Sequence, residues 1–426
     1  MPSHLLPTFK KQSVEKTILV GLERAGKSRW ELLESLQELG ELARTAGAKV
    51  VEIVTQKLEH PTAPYYIGKG KAEELLPLAI MHEASSIIFD DELTPAQGRN
   101  LEVLLSCKVL DRTQLILDIF AARARSREGR LQVELAQLQY LLPRLTRMWG
   151  HLSRQTGGIG TRGPGETQLE VDRRRVQERI SRLKEDLRGV RQVRTIQREG
   201  RLRRHWPLVS LVGYTNAGKS SLLNLLTHAD VLAEDKLFAT LDPTTRHCIL
   251  PNHQKILLTD TVGFIRKLPH TLIESFKATL EEVELADLLI HVVDLSHPQY
   301  LEQIEAVEKI LAELGAAEKE TLLVFNKIDQ LKYPALVQTQ LARFPGSVAI
   351  SALSQRGIDA FIHELENRLA RTRTQGSYAF PPEQSALLAE IYRNGHVTSL
   401  HYDGETSMID AIVPLGLAQR LHSFKR

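Results

Sequence analysis

The sequence predicts an α/β chain: a small parallel α/β domain, an antiparallel helical hairpin, a larger α/β domain, and a small α+β domain at the end. Three observations predict it. Short apolar runs alternate with helical patterns over residues 17 to 111 and again from 208 onward, the mark of βαβ units and parallel sheets. Two leucine-rich stripes at helical spacing flank a glycine-rich breaker at 150–165. The apolar run Leu208 to Gly213 leads through Gly-x4-Gly-Lys-Ser directly into a Leu-rich helical pattern.

At 426 residues the chain exceeds a single hydrophobic core, and we divide it at 1–125, 126–204, 205–371 and 378–426. With 42% hydrophobic and 25% charged residues it has an ordinary globular composition. The net charge of +3 hides a basic footprint, because residues 172–204 hold 13 Arg or Lys against 5 Asp or Glu. Cys107 and Cys248 stand far apart, excluding a disulfide framework or a multi-cysteine metal site. No apolar run approaches the roughly 20 residues of a membrane span, and the start has no signal-peptide core. We therefore expect a cytoplasmic protein, monomeric when free.

In the first domain, strands are expected at Thr17–Gly21, Lys49–Val54, Ser86–Phe89 and Lys108–Leu110, with helices near 30–46, 69–83 and 95–106. Gly21-Leu22-Glu23-Arg24-Ala25-Gly26-Lys27-Ser28 also spells a phosphate loop. A phosphate loop needs a magnesium-holding acid and a base-reading element, and no second set follows; Glu23 would also bring negative charge toward phosphate. A surface turn entering a helix is expected instead. Gly68 to Lys71 reads as a capped turn in preference to a phosphate site, and Asp90, Asp91 and Asp111 are assigned no chemistry.

The hairpin rests on Leu131, Leu135, Leu138, Leu142, Leu145 and Trp149 on one helical face and Val176, Ile180, Leu183, Leu187 and Val190 on the other. Pro143 is expected to kink or divide the first helix. The tip, Gly150 to Gly165, has six glycines and cannot bury a core. Arg154 and Arg162 in the tip, with Arg173 and Arg174 on the adjoining helix, are candidate phosphate contacts to RNA; a flexible loop beside a solvated face is the alternative.

The third domain carries the chemistry. In Gly213-Tyr214-Thr215-Asn216-Ala217-Gly218-Lys219-Ser220, backbone N–H groups and a helix N-terminus can surround phosphate oxygens. Lys219 would bridge the β- and γ-phosphates, and Ser220 would ligate magnesium. There follow Phe238-Ala239-Thr240-Leu241-Asp242, Asp260-Thr261-Val262-Gly263, Asn326-Lys327-Ile328-Asp329 and Ser351-Ala352-Leu353. This order points to a guanine-nucleotide domain of the P-loop GTPase class. Thr240 is the candidate second magnesium ligand, with Thr244 and Thr245 as competitors, and Asp260 would hold the ion through water. The Gly263 amide would sense the γ-phosphate. Asp329 would accept the N1 and N2 hydrogens of guanine, a donor pair adenine lacks. Asn326 would support the base, Lys327 cover it, and the Ala352 amide reach its carbonyl. Phe264 stands where many switch GTPases carry a water-orienting glutamine, and a phenyl ring cannot orient water by hydrogen bonding. Catalysis thus falls to Lys219 and Gly263 plus a partner or ion. Asn216 either helps bind potassium or pins the loop.

With Ile87 to Leu93, Leu131 to Leu138, Gly158 to Gln168 and Phe238 to Arg246, the chain resembles the HflX family of the Obg-HflX group from about residue 17 to 370. That resemblance implies GTP/GDP and Mg²⁺ as ligands, with K⁺ as an option. It implies GTP-dependent binding to the large ribosomal subunit and its RNA through the glycine tip, splitting or rescue of stalled ribosomes, and a location on ribosomes or at the membrane periphery. An alternative is a GTP-gated RNA-binding or ribosome-assembly factor whose hydrolysis only drives release. A third is an ATP-dependent enzyme using the amino-terminal loop. In the end domain, a helix near 384–392 and strands at Val397–Tyr402 and Met408–Val413 are expected.

Overall fold

The structure, a computed structural model, describes residues 14–26, 28–148, 164–202, 206–227, 237–267, 272, 280–371, 373–404 and 406–426. Its chain divides into two compact units: residues up to 122 with 133–181, and residues 123–132 with 182–426.

In the first unit, β1 (Lys16–Glu23), β2 (Lys49–Lys57), β3 (Ser86–Phe89) and β4 (Lys108–Asp111) form a parallel sheet in the order β2-β1-β3-β4. Helices α1 (Arg29–Thr45), α2 (Lys69–His82) and α3 (Pro95–Leu105) connect these strands, and α4 (Arg112–Arg123) follows β4. Ile18, Val20, Ile87 and Phe89 pack with Leu75 and Leu101 in its core. The acids after the strands are structural. Asp90 accepts from Arg112 at 2.7 Å and from Ser35 Oγ at 2.7 Å; Asp111 accepts the Leu93 and Gln114 N–H groups and the Tyr140 hydroxyl. Gly68 caps α2, whose Lys69 and Lys71 pair with Glu73 and Glu74.

The hairpin helices are α5 (Arg127–Met148) and α6 (Pro164–Leu202). Two expectations change here. Of the two outcomes expected at Pro143, a kink or a division, the division does not occur, since α5 runs unbroken through it; the helix is held on both sides of the proline, by Tyr140 on Asp111 and by Arg144 on Asp111 and the Leu93 carbonyl. The breaker is also shorter than 150–165, since Pro164 opens α6 and Gly165 is helical; a proline needs no N–H in the first turn. Residues 149–163, including Trp149, Arg154 and Arg162, lie outside the described residues. Along α5, Gln132, Val133, Leu135, Ala136 and Tyr140 are buried, while Leu131, Leu138, Leu142 and Leu145 of the expected stripe are half-buried. Tyr140 and Arg144 tie α5 to Asp111 at the end of β4. Arg179 of α6 forks onto Glu134 of α5 at 2.7 and 2.8 Å, a half-exposed pair worth at most about 1 kcal/mol.

The second unit holds a six-stranded sheet ordered β10-β9-β8-β5-β7-β6. Its strands are β5 (Leu208–Gly213), β6 (Thr244–Ile249), β7 (Lys255–Asp260), β8 (Leu288–Asp294), β9 (Thr321–Asn326) and β10 (Val348–Ala349); only β6 is antiparallel to its neighbour. Helix α7 (Lys219–Thr227) follows β5. Its Leu222 and Leu223 are fully buried against Val209, Leu211 and Leu258, each contributing about 2 kcal/mol. That packing fixes where α7 starts, and so where the loop before it opens.

The last sheet, β11-β13-β12, pairs β11 (Arg373–Phe380), β12 (His396–Asp403) and β13 (Thr406–Pro414) antiparallel. A helix, Ser385–Asn394, packs on it. The strand β11 was not expected: it begins in the polar run Arg373-Thr374-Gln375-Gly376, and its alternation becomes apolar only at Tyr378 and Phe380. The third sheet thus starts at 373, three residues after the preceding helix ends at Ala370.

Candidate functional site

The central strand β5 lies between β8 and β7, and its carboxyl end opens at the point where open α/β sheets bind ligands. Gly213 ends the strand at φ +147, and a Cβ there would run into the Val292 carbonyl oxygen. Gly218 has φ +95 and lies under the Asn326 amide. Asn216 takes the left-handed region at φ 61, which Asn tolerates better than most side chains. The chain between turns five residues inward and enters α7 at Lys219.

A cleft opens there, lined by Thr215, Asn216, Gly218, Lys219, Ser220, Ser221, Phe238, Ala239, Thr240, Thr261 and Gly263. Lys219 is buried and its ammonium donates to the carbonyls of Gly213 at 3.1 Å and Tyr214 at 2.8 Å. Burial pushes its pKa down to about 8, against the pull of Asp260. The lysine is therefore held by weak carbonyl partners beside the cleft, ready for a stronger acceptor.

At the cleft floor three oxygens converge. Ser220 Oγ donates to Asp260 Oδ2 at 2.6 Å, Thr240 Oγ1 donates to the same oxygen at 2.9 Å, and the two hydroxyls lie 2.9 Å apart. Burial raises the Asp260 pKa, and Lys219, Ser220 and Thr240 oppose the rise. Asp260 Oδ1 and Thr215 Oγ1 are buried with no hydrogen-bond partner among the described residues. Hydroxyl and carboxylate oxygens around a phosphate cleft are the donor set a hard, hydrated magnesium ion takes, so the residues fit it. The competitors separate cleanly: Thr244 and Thr245 lie in β6, where Thr245 meets Thr259 at 2.9 Å.

Asn326 ties three loops together. Its Nδ2 donates to the Ala217 carbonyl at 2.9 Å and its Oδ1 accepts the Ala352 N–H at 3.0 Å. Lys327 is left-handed at φ 62 and pairs with Asp294 at 2.8 Å. Ile328 and Asp329 form a short 3-10 turn in which Asp329 is exposed. Ser351 Oγ accepts the Ser354 N–H at 3.0 Å, and Leu353 is 82% exposed. These residues gather beside the phosphate cleft without lining it. Leu241 is buried and Asp242 bonds to residues 125 and 126, so neither lines the cleft.

Phe264 is buried and does not line the cleft. Its backbone N–H donates to the Gly213 carbonyl at 3.1 Å and its carbonyl accepts the Thr215 N–H at 2.8 Å, which seats Val262 and Gly263 against the phosphate loop. Arg173 and Arg174 are exposed on α6, Arg174 pairing with Glu178 one turn on. A buried residue the sequence did not single out is His291 on β8, whose pKa burial pushes down to about 3. Nothing in the single letter H within Leu-Leu-Ile-His-Val-Val distinguishes it from a core position.

Among the described residues no helix is long and apolar enough to cross a membrane, and no group of three or more His, Cys, Asp or Glu could hold a metal. The sequence matches families described as "GTP-binding GTPase N-terminal" over residues 33–121, "GTP-binding GTPase Middle Region" over 123–201 and "50S ribosome-binding GTPase" over 208–327. It is 48% identical to "GTPase HflX" of Caldanaerobacter subterraneus subsp. tengcongensis over 410 residues, 96% of this chain and 94% of that one. "GTPase HflX" of Flavobacterium psychrophilum is 52% identical over 75% of this chain and 76% of its own. That of Escherichia coli K12 is 47% identical over 85% of each. The crystal structure of the SsGBP and GDP complex covers 83% of this chain and 98% of that one at 27% identity with a TM-score of 0.47, too loose a likeness to argue from.

Proposed function

Because the chain belongs to the HflX family of GTPases, we propose that its GTP-hydrolysing site controls binding to the large ribosomal subunit and the separation of stalled ribosomes. The observation that carries the reading is the convergence of Ser220 and Thr240 on Asp260 at the floor of the cleft. Magnesium, when bound, neutralises charge on the β- and γ-phosphates.

The chain's own residues do the rest. Gly213 to Ser220 surround the phosphates with backbone N–H groups, and Lys219 exchanges its two carbonyl partners for phosphate oxygens. Ser220 and Thr240 would hold the ion, with the Asp260 carboxylate behind them. The Gly263 amide reads the γ-phosphate. Phe238 to Asp242 and Asp260 to Gly263 are ordered by that phosphate and released when it leaves. Asn326 and the Ala352 amide frame the base, and the exposed Asp329 pairs with the guanine edge, so the wrong base leaves a carboxylate unpaired. Lys327 covers the base face.

Buried Phe264 offers the attacking water no hydrogen bond, so intrinsic turnover is slow and the ribosome supplies the missing positioning. Arg154 and Arg162 in the tip and Arg173 and Arg174 on α6 contact ribosomal RNA, and the protein works as a cytoplasmic monomer. Two measurements test this. Large subunits should raise GTP turnover at least tenfold, on the order expected for supplied positioning; an unchanged rate contradicts ribosome-stimulated hydrolysis. Sucrose-gradient profiles of ribosomes treated with protein lacking residues 154–163 should show no splitting. Splitting that survives the deletion removes the tip from the mechanism. Splitting by a non-hydrolysable analogue as fast as by GTP assigns hydrolysis to release alone.

A further inference from the structure

Asp242 sits two residues past the Thr240 that meets Ser220 and Asp260, yet its carboxylate is used elsewhere. Its Oδ2 accepts the N–H groups of Arg125 at 2.9 Å and Ser126 at 2.8 Å, and its Oδ1 accepts the Ser126 hydroxyl. Ser126 is itself the cap of α5: its Oγ accepts the Gly129 N–H at 2.8 Å and its carbonyl accepts the Arg130 N–H at 3.1 Å. A carboxylate there also faces the positive end of the helix.

The fit is close. A Cβ on Gly129 would strike Asp242 Oδ1, so the first turn of α5 is shaped to admit this one side chain. Arg125 and Ser126 are exposed and Asp242 is half-buried, a contact that can open without breaking a core. Residues 123–132 cluster with the unit containing the nucleotide cleft, whereas α5 from Val133 onward clusters with the other unit. One continuous helix thus begins in one unit and continues in the other.

We propose that Asp242 is a nucleotide-sensitive cap, passing the state of the GTP cleft to the start of the hairpin helix. This rests on the reading that Thr240 responds to the γ-phosphate and its ion. Leu241 between them is buried, and Asp242 precedes Pro243, which restricts its backbone to extended conformations. The segment therefore has little slack. When Thr240 is drawn in, Asp242 clamps α5; when Thr240 is released, the clamp loosens and the first turn frays.

Hydrogen exchange on the full chain, with GDP and with a non-hydrolysable GTP analogue plus magnesium, tests the proposal. Amides of residues 127–132 should exchange about fivefold more slowly with the analogue, the size of one helix cap. Asp242→Ala, which removes the acceptor oxygens, should erase that difference. Gly129→Ala is the second variant, because it pushes Asp242 away from the helix side while alanine itself favours helix; loss of the nucleotide response there cannot be blamed on a poorer helix. If residues 213–222 and 256–264 do not respond to nucleotide in the wild type, the reading of the cleft fails. If they respond and 127–132 do not, or if 127–132 respond equally in both variants, the cap is overturned and the cleft stands.

Discussion

The chain spells Gly-x4-Gly-Lys-Ser twice and folds the two copies differently. Both loops have five residues between strand and helix, but the lettering is displaced by two positions. At Gly213 the strand stops, and Lys219 opens the helix with Ser220 turned to Asp260. At Gly21 the strand continues to Glu23, paired with β2 through Lys57, and α1 waits until Arg29. Ser28 then spends its hydroxyl as an ordinary cap on the Glu31 N–H at 3.1 Å. Arg24, the first residue of that loop, is committed to Asp91 and Tyr66. Gly21 is small because α1 lies on it, not because a phosphate does. A phosphate loop is defined by where the strand ends, and the letters alone do not say where.

The largest expected contrast is between the two leading glycines. Gly213→Ala forces a side chain into the Val292 carbonyl at a φ that L residues avoid, and should weaken GTP binding at least 100-fold, about 3 kcal/mol. Gly21→Ala meets only the Leu32 and Leu36 methyls at 2.8 Å, which can rotate. It should cost about 1–3 kcal/mol in urea unfolding and leave GTP affinity unchanged. Equal losses of affinity would erase the distinction.

His291 gives a smaller effect, of a few kcal/mol at most. Its folded pKa of about 3 lies below its ordinary 6.5, so the unfolded chain binds the extra proton between those values. Stability should therefore fall as pH drops from about 6.5 toward 3, and His291→Leu should flatten that slope; an unchanged slope places the acid sensitivity elsewhere. Smaller still is the titration of Lys219. With a free pKa of about 8 and a charged form favoured by phosphate, GTP affinity should fall about tenfold per pH unit above 8. Calorimetry in two buffers should register proton uptake there, and affinity that stays flat to pH 10 would contradict a neutralising lysine at the phosphates.

Much of this was legible in the letters because it depends on local grammar. Strands flanked by helix patterns, the Asp-x-x-Gly and Asn-Lys-x-Asp turns, and the hairpin stripes each announce themselves over a few residues. What was not legible depends on partners distant in the chain. Tyr140 is buried although it lies off the leucine stripe, because its hydroxyl donates to Asp111, 29 residues before it. Asp242 reads as part of a nucleotide segment until the fold brings Ser126 to it, 116 residues away. The strand β11 is polar at its start because its partner is β13 and its first residues need only backbone bonds.

Of the two matching loops, the one at Gly213 binds nucleotide and the one at Gly21 does not. Equilibrium titration of fluorescent GTP and ATP analogues against wild type, Lys219→Ala and Lys27→Ala separates them. GTP binding should be lost in Lys219→Ala, unchanged in Lys27→Ala, and at least 100-fold tighter than ATP binding in the wild type. Nucleotide binding that survives Lys219→Ala and disappears in Lys27→Ala would contradict this assignment of the two loops.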